Sequence, residues 1–132
     1  MYITNNPEVA SIADRAGVDR IFIDLERHGK EERQKNWNSV KSKHSISDIP
    51  KVKSAVRNAQ IFVRTDPIFD GFSDELEGVL ACKPDVVMLP YFKTVREVET
   101  FIKAVDGRAT TSLLLETREA AEQIDDIISV GG

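Results

Sequence analysis

Arg20-Ile21-Phe22-Ile23-Asp24-Leu25-Glu26 is the stretch that decides the fold. It is short, β-branched and aromatic, and it starts abruptly after the Gly17-Val18-Asp19 turn, so it reads as a buried strand. Upstream, Asn5-Asn6-Pro7-Glu8 offers a capping amide, a proline at the first helical position and an acid at the positive end of the helix dipole. Val9, Ile12, Ala13 and Ala16 then follow at helical spacing up to Gly17, which predicts an N-terminal helix ahead of the first strand. Downstream, the strand pattern recurs at Gln60–Thr65, Asp85–Pro90 and Thr111–Glu116.

Helical patterns lie between these strands. Ser47 is placed to cap a helix carrying Ile49, Val52, Val56 and Ala59, and Ser73 one carrying Leu76, Val79 and Leu80. Thr94 and Glu97 form a capping box ahead of Val98, Phe101, Ile102 and Val105, with Gly107 as the stop. Thr117 caps the last helix, with Ala120, Ala121, Ile124, Ile127 and Ile128 inward and Gly131 at its end. Four strands, each followed by helical sequence, imply a parallel α/β arrangement with right-handed crossovers. The expected organisation is one domain over residues 1–132, four β/α units preceded by an N-terminal helix.

A chain of 132 residues with 41% apolar side chains can bury a real core without disulfides. The lone Cys82 has no intrachain partner and reads as a helix-end packing residue, and no basic-then-apolar leader opens the sequence, so a reducing cytoplasmic setting is expected. No apolar run is long enough to enter a membrane, and a net charge of -4 leaves no footprint for a phosphate backbone. Residues Arg27 to His44 form the one long irregular stretch, polar except for Trp37 and Val40, with a possible helical turn at Lys30–Gln34. It reads either as a functional loop or as a solvated excursion. Within it, Trp37 suits a subunit contact or a stacking surface, and His44 beside Lys41 and Lys43 suits a small basic patch or plain surface.

Strand parity carries the chemistry. Ile21, Ile23 and Leu25 share one face while Phe22, Asp24 and Glu26 share the other. Likewise Ile61 and Val63 oppose Phe62, Arg64 and Asp66, and Leu113 and Leu115 oppose Ser112, Leu114 and Glu116. One face is wholly apolar; the other becomes charged only at the carboxyl ends, as in a (β/α) barrel or an open doubly wound sheet. The lack of any Gly-x-Gly-x-x-Gly, and charges spread over several strands, favour the barrel. Asp24, Glu26, Arg64, Asp66 and Glu116 then form either a buried salt-bridge network or a working site. In a working site the surplus negative charge calls for a hard divalent cation, magnesium or manganese, and Arg64 is left to grip a substrate carboxylate or carbonyl. His28, two residues past Glu26, is a candidate acid or base, and Met88 and Pro90 are candidate pocket-lining residues.

The segments Ala16–Glu26, Phe62-Val63-Arg64, Val87–Val98 and Leu114-Leu115-Glu116-Thr117, in that order and each at a strand's carboxyl end, resemble the HpcH/HpaI aldolase and citrate lyase β-subunit family. The resemblance implies a TIM (β/α)8 barrel, of which this chain is the N-terminal half, and a divalent-metal-dependent carbon–carbon lyase acting through an enolate of a 2-oxo acid or an acyl-coenzyme A thioester. It implies that Arg64 holds the substrate oxygens, that Glu116 is a metal-ligating carboxylate, and that Asp24 and Glu26 are the acidic pair after the first strand. The implied catalytic set is therefore Arg64, Asp24, Glu26 and His28, with Arg64, Met88 and Pro90 binding substrate and Glu116 on a Mg2+ or Mn2+ ion. Where the aldolase branch has a histidine after the first-strand acid, this sequence has Arg27, with His28 next.

Four strands cannot close an eight-stranded barrel. The start at Met1 suggests that the missing portion is C-terminal, beyond Gly132, together with the second metal carboxylate. Phe22, Phe62, Met88 and Leu114 are then expected to face solvent, and the chain to form a homo-oligomer if stable alone. The alternative function is a non-catalytic half-barrel that works or survives only through oligomeric assembly.

Overall fold

The computed structural model describes residues 1–27 and 43–131. His28, the Lys30–Gln34 turn, Arg33, Trp37, Val40 and Lys41 lie outside the described residues. The elements are β1 (Tyr2–Ile3), α1 (Pro7–Arg15), β2 (Arg20–Asp24), α2 (Asp48–Ala55), β3 (Gln60–Arg64), α3 (Phe72–Ala81), β4 (Val86–Leu89), α4 (Val95–Val105), β5 (Thr110–Leu113), α5 (Arg118–Glu122) and α6 (Ile124–Gly131).

All four expected strands form, and a fifth joins them. Tyr2 and Ile3 pair in parallel with Ile21 and Phe22, so a strand precedes the N-terminal helix and the described residues make five β/α units where the sequence pattern shows four. The sheet is parallel throughout, in the order β1-β2-β3-β4-β5. Strictly sequential order leaves no place where the winding reverses, which a doubly wound sheet requires.

The two faces differ as the parity predicts. Ile21, Ile23, Leu25, Ile61, Val63, Val87 and Leu89 belong to a large core shared with Val52 of α2, Leu76 and Val79 of α3, and Val98 and Phe101 of α4. On the other face, Phe22, Phe62 and Val86 form a small separate cluster with Met88 against it. The expectation that Phe22 and Phe62 face solvent is wrong: they are 5% and 3% exposed. Their rings stack at 5.2 Å, and the guanidinium groups of Arg64 and Arg20 lie 5.6 Å and 5.8 Å over Phe22 and Phe62 respectively. Stacked aromatics capped by cations are thereby withdrawn from water at an open sheet face. Met88 and Leu114 remain half-buried.

Local signals set most helix ends. The Asn6 side chain accepts from Glu8 and Val9 ahead of Pro7, Thr94 and Glu97 make a full capping box, and Thr117 accepts from Ala120. Three details depart from expectation. The third helix starts at Phe72 behind Gly71, whose φ of 97 is left-handed, so glycine rather than Ser73 occupies the cap. Ser47 makes no side-chain cap bond; Asp48 instead accepts from the Ser45 amide at 2.8 Å and from Asn5 Nδ2 at 3.2 Å. Burial works to raise the Asp48 pKa, but these hydrogen bonds and the Lys51 charge outweigh it and hold it below the ordinary value. The last helix is broken at Gln123 into α5 and α6, which leaves Ile128 exposed. No helix among the described residues is long and apolar enough to cross a membrane.

Candidate active site

Asp24, Arg64, Met88 and Ser112 are register partners across β2, β3, β4 and β5, one row on a common face. Phe22, Phe62, Val86 and Thr110 form the row beneath, toward the amino ends. Polarity therefore begins one layer above an aromatic floor, at the carboxyl ends, where parallel β/α folds place their ligands.

Arg64 dominates that row. Its Nε donates to Asp24 Oδ1 at 2.9 Å and its Nη2 to Asp24 Oδ2 at 2.7 Å, a two-pronged pairing, while Nη1 lies 3.3 Å from Glu26 Oε2. Asp24 and Glu26 are 5% and 4% exposed. The salt-bridge arrangement that the sequence allows is thus real, because carboxylates buried this deeply need a countercharge. It does not exhaust the arginine: a guanidinium carries five N–H donors, the Asp24 pairing uses two of them, and the side chain is 19% exposed. An exposed edge of a cation whose orientation is fixed from behind is suited to meeting an anionic oxygen.

The neighbouring groups tie this assembly to the strand ends. The Glu26 amide donates to Asp24 Oδ1 at 3.2 Å. Asp66 Oδ1 accepts from the Arg27 amide, and the Asp66 amide donates to Glu75 Oε1 at 3.2 Å. Leu25, Arg27, Ser45, Ile46, Ser47, Asp66 and Glu75 line a hollow of about 430 Å³ at this end. A larger hollow, about 760 Å³, lies around Asp14, Asp19, Arg20, Asn58 and Gln60 at the amino ends, away from Arg64.

Glu116 is placed differently from the acidic pair. It is exposed beyond β5, and its Oε1 accepts the Tyr91 amide at 3.0 Å. Tyr91 has φ 51, a left-handed conformation uncommon for a non-glycine residue, and Lys93 Nζ lies 5.5 Å over its ring. Met88 is half-buried against the aromatic floor and Pro90 is buried. Among the described residues no group of three or more His, Cys, Asp or Glu is arranged to hold a metal ion. With Asp24 and Glu26 engaged by Arg64, the described residues do not by themselves make a complete divalent site.

His44 is the residue that the sequence reading misplaced. It is buried, its Nδ1 accepts the Asp24 amide at 2.9 Å, and its carbonyl accepts from Arg27 Nη2 at 3.1 Å. Its neighbours Lys41 and Lys43 in the sequence point to surface, and no local pattern marks it as buried. Cys82 is half-buried at the end of α3, its Sγ 3.5 Å from the Gly78 carbonyl, which suits packing.

The family model for HpcH/HpaI aldolase/citrate lyase matches residues 1–132. The chain belongs to that family. Among solved structures, an HpcH/HpaI aldolase from Desulfitobacterium hafniense DCB-2 superposes with a TM-score of 0.69 at 15% identity, over 98% of this chain and 56% of its own. An HpcH/HpaI aldolase/citrate lyase family protein from Burkholderia cenocepacia J2315 gives 0.76 at 11%, over 99% and 60%. The citrate synthase SbnG gives 0.71 at 15%, over 96% and 54%. No curated protein matches. This family member thus spans little more than half the length of these three structures, and its five-stranded sheet with alternating helices is part of their TIM-barrel-like fold.

Proposed function

We propose that this chain supplies the N-terminal half of a carbon–carbon lyase in which Arg64 holds the oxygens of a 2-oxo acid or acyl thioester while an enolate forms. The observation that carries the reading is the Arg64 guanidinium, fixed from behind by Asp24 and Glu26 with one edge exposed at the carboxyl end of β3. Removing a proton beside a carbonyl moves negative charge onto the carbonyl oxygen, and a cation already oriented there stabilises that charge without reorganising. Asp24 and Glu26 act on Arg64, Met88 and Pro90 bound the apolar side of the pocket, and His28 is a candidate for moving the proton. Magnesium or manganese is the cation the family resemblance suggests, with Glu116 as the ligand from this half; a complete site needs further oxygen donors. A reducing cytoplasmic setting suits the lone Cys82.

The test is solvent deuterium exchange into the pyruvate methyl group, measured with and without magnesium, on a polypeptide in which residues 1–132 are joined to the remaining strands of the barrel. Arg64→Lys keeps the charge but loses the fork, so exchange is expected to fall by about a hundredfold or more. An unchanged rate would remove the reading.

A second reading, a non-catalytic half-barrel that works through assembly with copies of itself, is favoured by the sheet edges. Among the described residues β1 and β5 each have a strand on one side only, and Tyr2, Ile3 and Leu115 are exposed near them. It expects oligomers in sedimentation, no effect of metal and no turnover.

A further inference from the structure

The β2 edge that faces β1 ends in an unusual way. Thr4 N–H donates to the Phe22 carbonyl at 3.2 Å, the last strand-like bond on that side. Two residues on, the Asp24 amide points to the same edge, because successive backbone groups alternate between neighbours. It donates to the imidazole Nδ1 of His44, 2.9 Å away. A side chain from twenty residues further along the chain thus takes the place of a strand carbonyl at the residue whose carboxylate grips Arg64.

We infer that His44 is a positioning residue: its neutral imidazole, protonated on Nε2 and accepting at Nδ1, fixes the end of β2 so that Asp24 holds Arg64 in its working orientation. This rests on the proposed role of Arg64. Three features support it. Nδ1 accepts from a backbone N–H, which only an imidazole without a proton on that nitrogen can do. The His44 backbone is itself held by Arg27 Nη2, and the Arg27 amide by Asp66, so the imidazole stands on a framework tied to β3. His44 and Asp24 are 6% and 5% exposed, which keeps water from replacing the bond cheaply.

Nuclear magnetic resonance on the uniformly 15N-labelled chain at pH 8 tests this without turnover. In the unsubstituted chain, a scalar coupling between the Asp24 amide nitrogen and His44 Nδ1 is expected across the hydrogen bond. An imidazole carrying its proton on Nδ1, or no coupling, would overturn the inference. His44→Asn, whose side-chain oxygen can sit where Nδ1 sits, should keep the Arg64 Nε–H signal protected. His44→Leu should lose that signal and speed Asp24 amide exchange roughly threefold to tenfold, the equivalent of one hydrogen bond. Equal Arg64 protection in His44→Leu and the unsubstituted chain would also overturn it. The two ideas fail separately: enolisation indifferent to Arg64→Lys removes the lyase reading and leaves the His44 link standing, whereas a missing coupling removes only the link.

Discussion

Asp14 at the amino ends and the Asp24–Glu26 pair at the carboxyl ends are buried acids satisfied in different ways, although Asp66 beside that pair also accepts a backbone amide. At the amino ends, buried Asp14 accepts the amides of Arg57, Asn58 and Ala59 at 2.9, 3.1 and 2.7 Å, and the exposed Asp85 accepts the Ile61 amide at 2.7 Å. At the carboxyl ends, Asp24 and Glu26 are answered by a side chain, Arg64. Backbone amides are immovable and wholly consumed by the acid they serve, so the first arrangement can only staple loops together. A guanidinium pinned by two carboxylates keeps donors to spare. On the proposed reading the contrast separates an end that staples the fold from one that meets a ligand, without reference to hollow size, which is greater at the stapled end.

The largest effect should come from Arg64→Ala. It strands two buried carboxylates, and chemical denaturation should show a loss of about 3–5 kcal/mol, partly recovered by adding Asp24→Asn. A loss below about 1 kcal/mol would mean that water already serves these acids and that the contrast between the ends is false. Phe62→Ala, which removes one ring of the floor beneath that row, should cost about 3 kcal/mol and should also loosen the Arg64 Nε–H signal. A fall in stability with Arg64 undisturbed would uncouple floor from site.

The acid limb sharpens the comparison further. Hydrogen bonds from the Arg57 and Ala59 amides hold the Asp14 carboxyl below its ordinary value of 3.8, against the opposing pull of burial. A folded pKa below the unfolded one means that the unfolded chain takes up the proton first. The contribution of Asp14 is therefore complete above the ordinary value and is lost as pH falls through its lowered, folded one. Asp14→Asn should be less stable than the unsubstituted chain at neutral pH, with the gap narrowing below about pH 4; a gap that is constant with pH would assign the effect to shape rather than charge. The smallest change is expected at the exposed Arg108–Glu77 pair, 2.6 Å apart, where Glu77→Gln should leave the midpoint almost unmoved and insensitive to salt.

What was legible in the sequence were features whose cause is local. Pro7 after Asn6, the Thr94–Glu97 box and the Thr117 cap act within four residues, and alternation along Arg20–Glu26 and Gln60–Asp66 predicted the charged row at the carboxyl ends together with Arg64 between two acids. What escaped depends on distant partners. Tyr2–Ile3 is too short to show a period and becomes a strand only because β2 lies beside it. The floor rings owe their burial to each other and to cations from two strands. His44 contacts a residue twenty positions back, and no spacing rule links the two. The Gly71 start of α3 is a nearer miss, since a left-handed glycine at a helix entrance competes with an adjacent serine that looks the better cap.

Because, among the described residues, every strand in this sheet is bonded only to its neighbours in strand order, the sheet is laid out like a fan, each blade held by the ones beside it. Adding or deleting one strand–helix blade at either margin requires no rethreading, and resistance to hydrogen–deuterium exchange should peak at β3 and decline outward to β1 and β5.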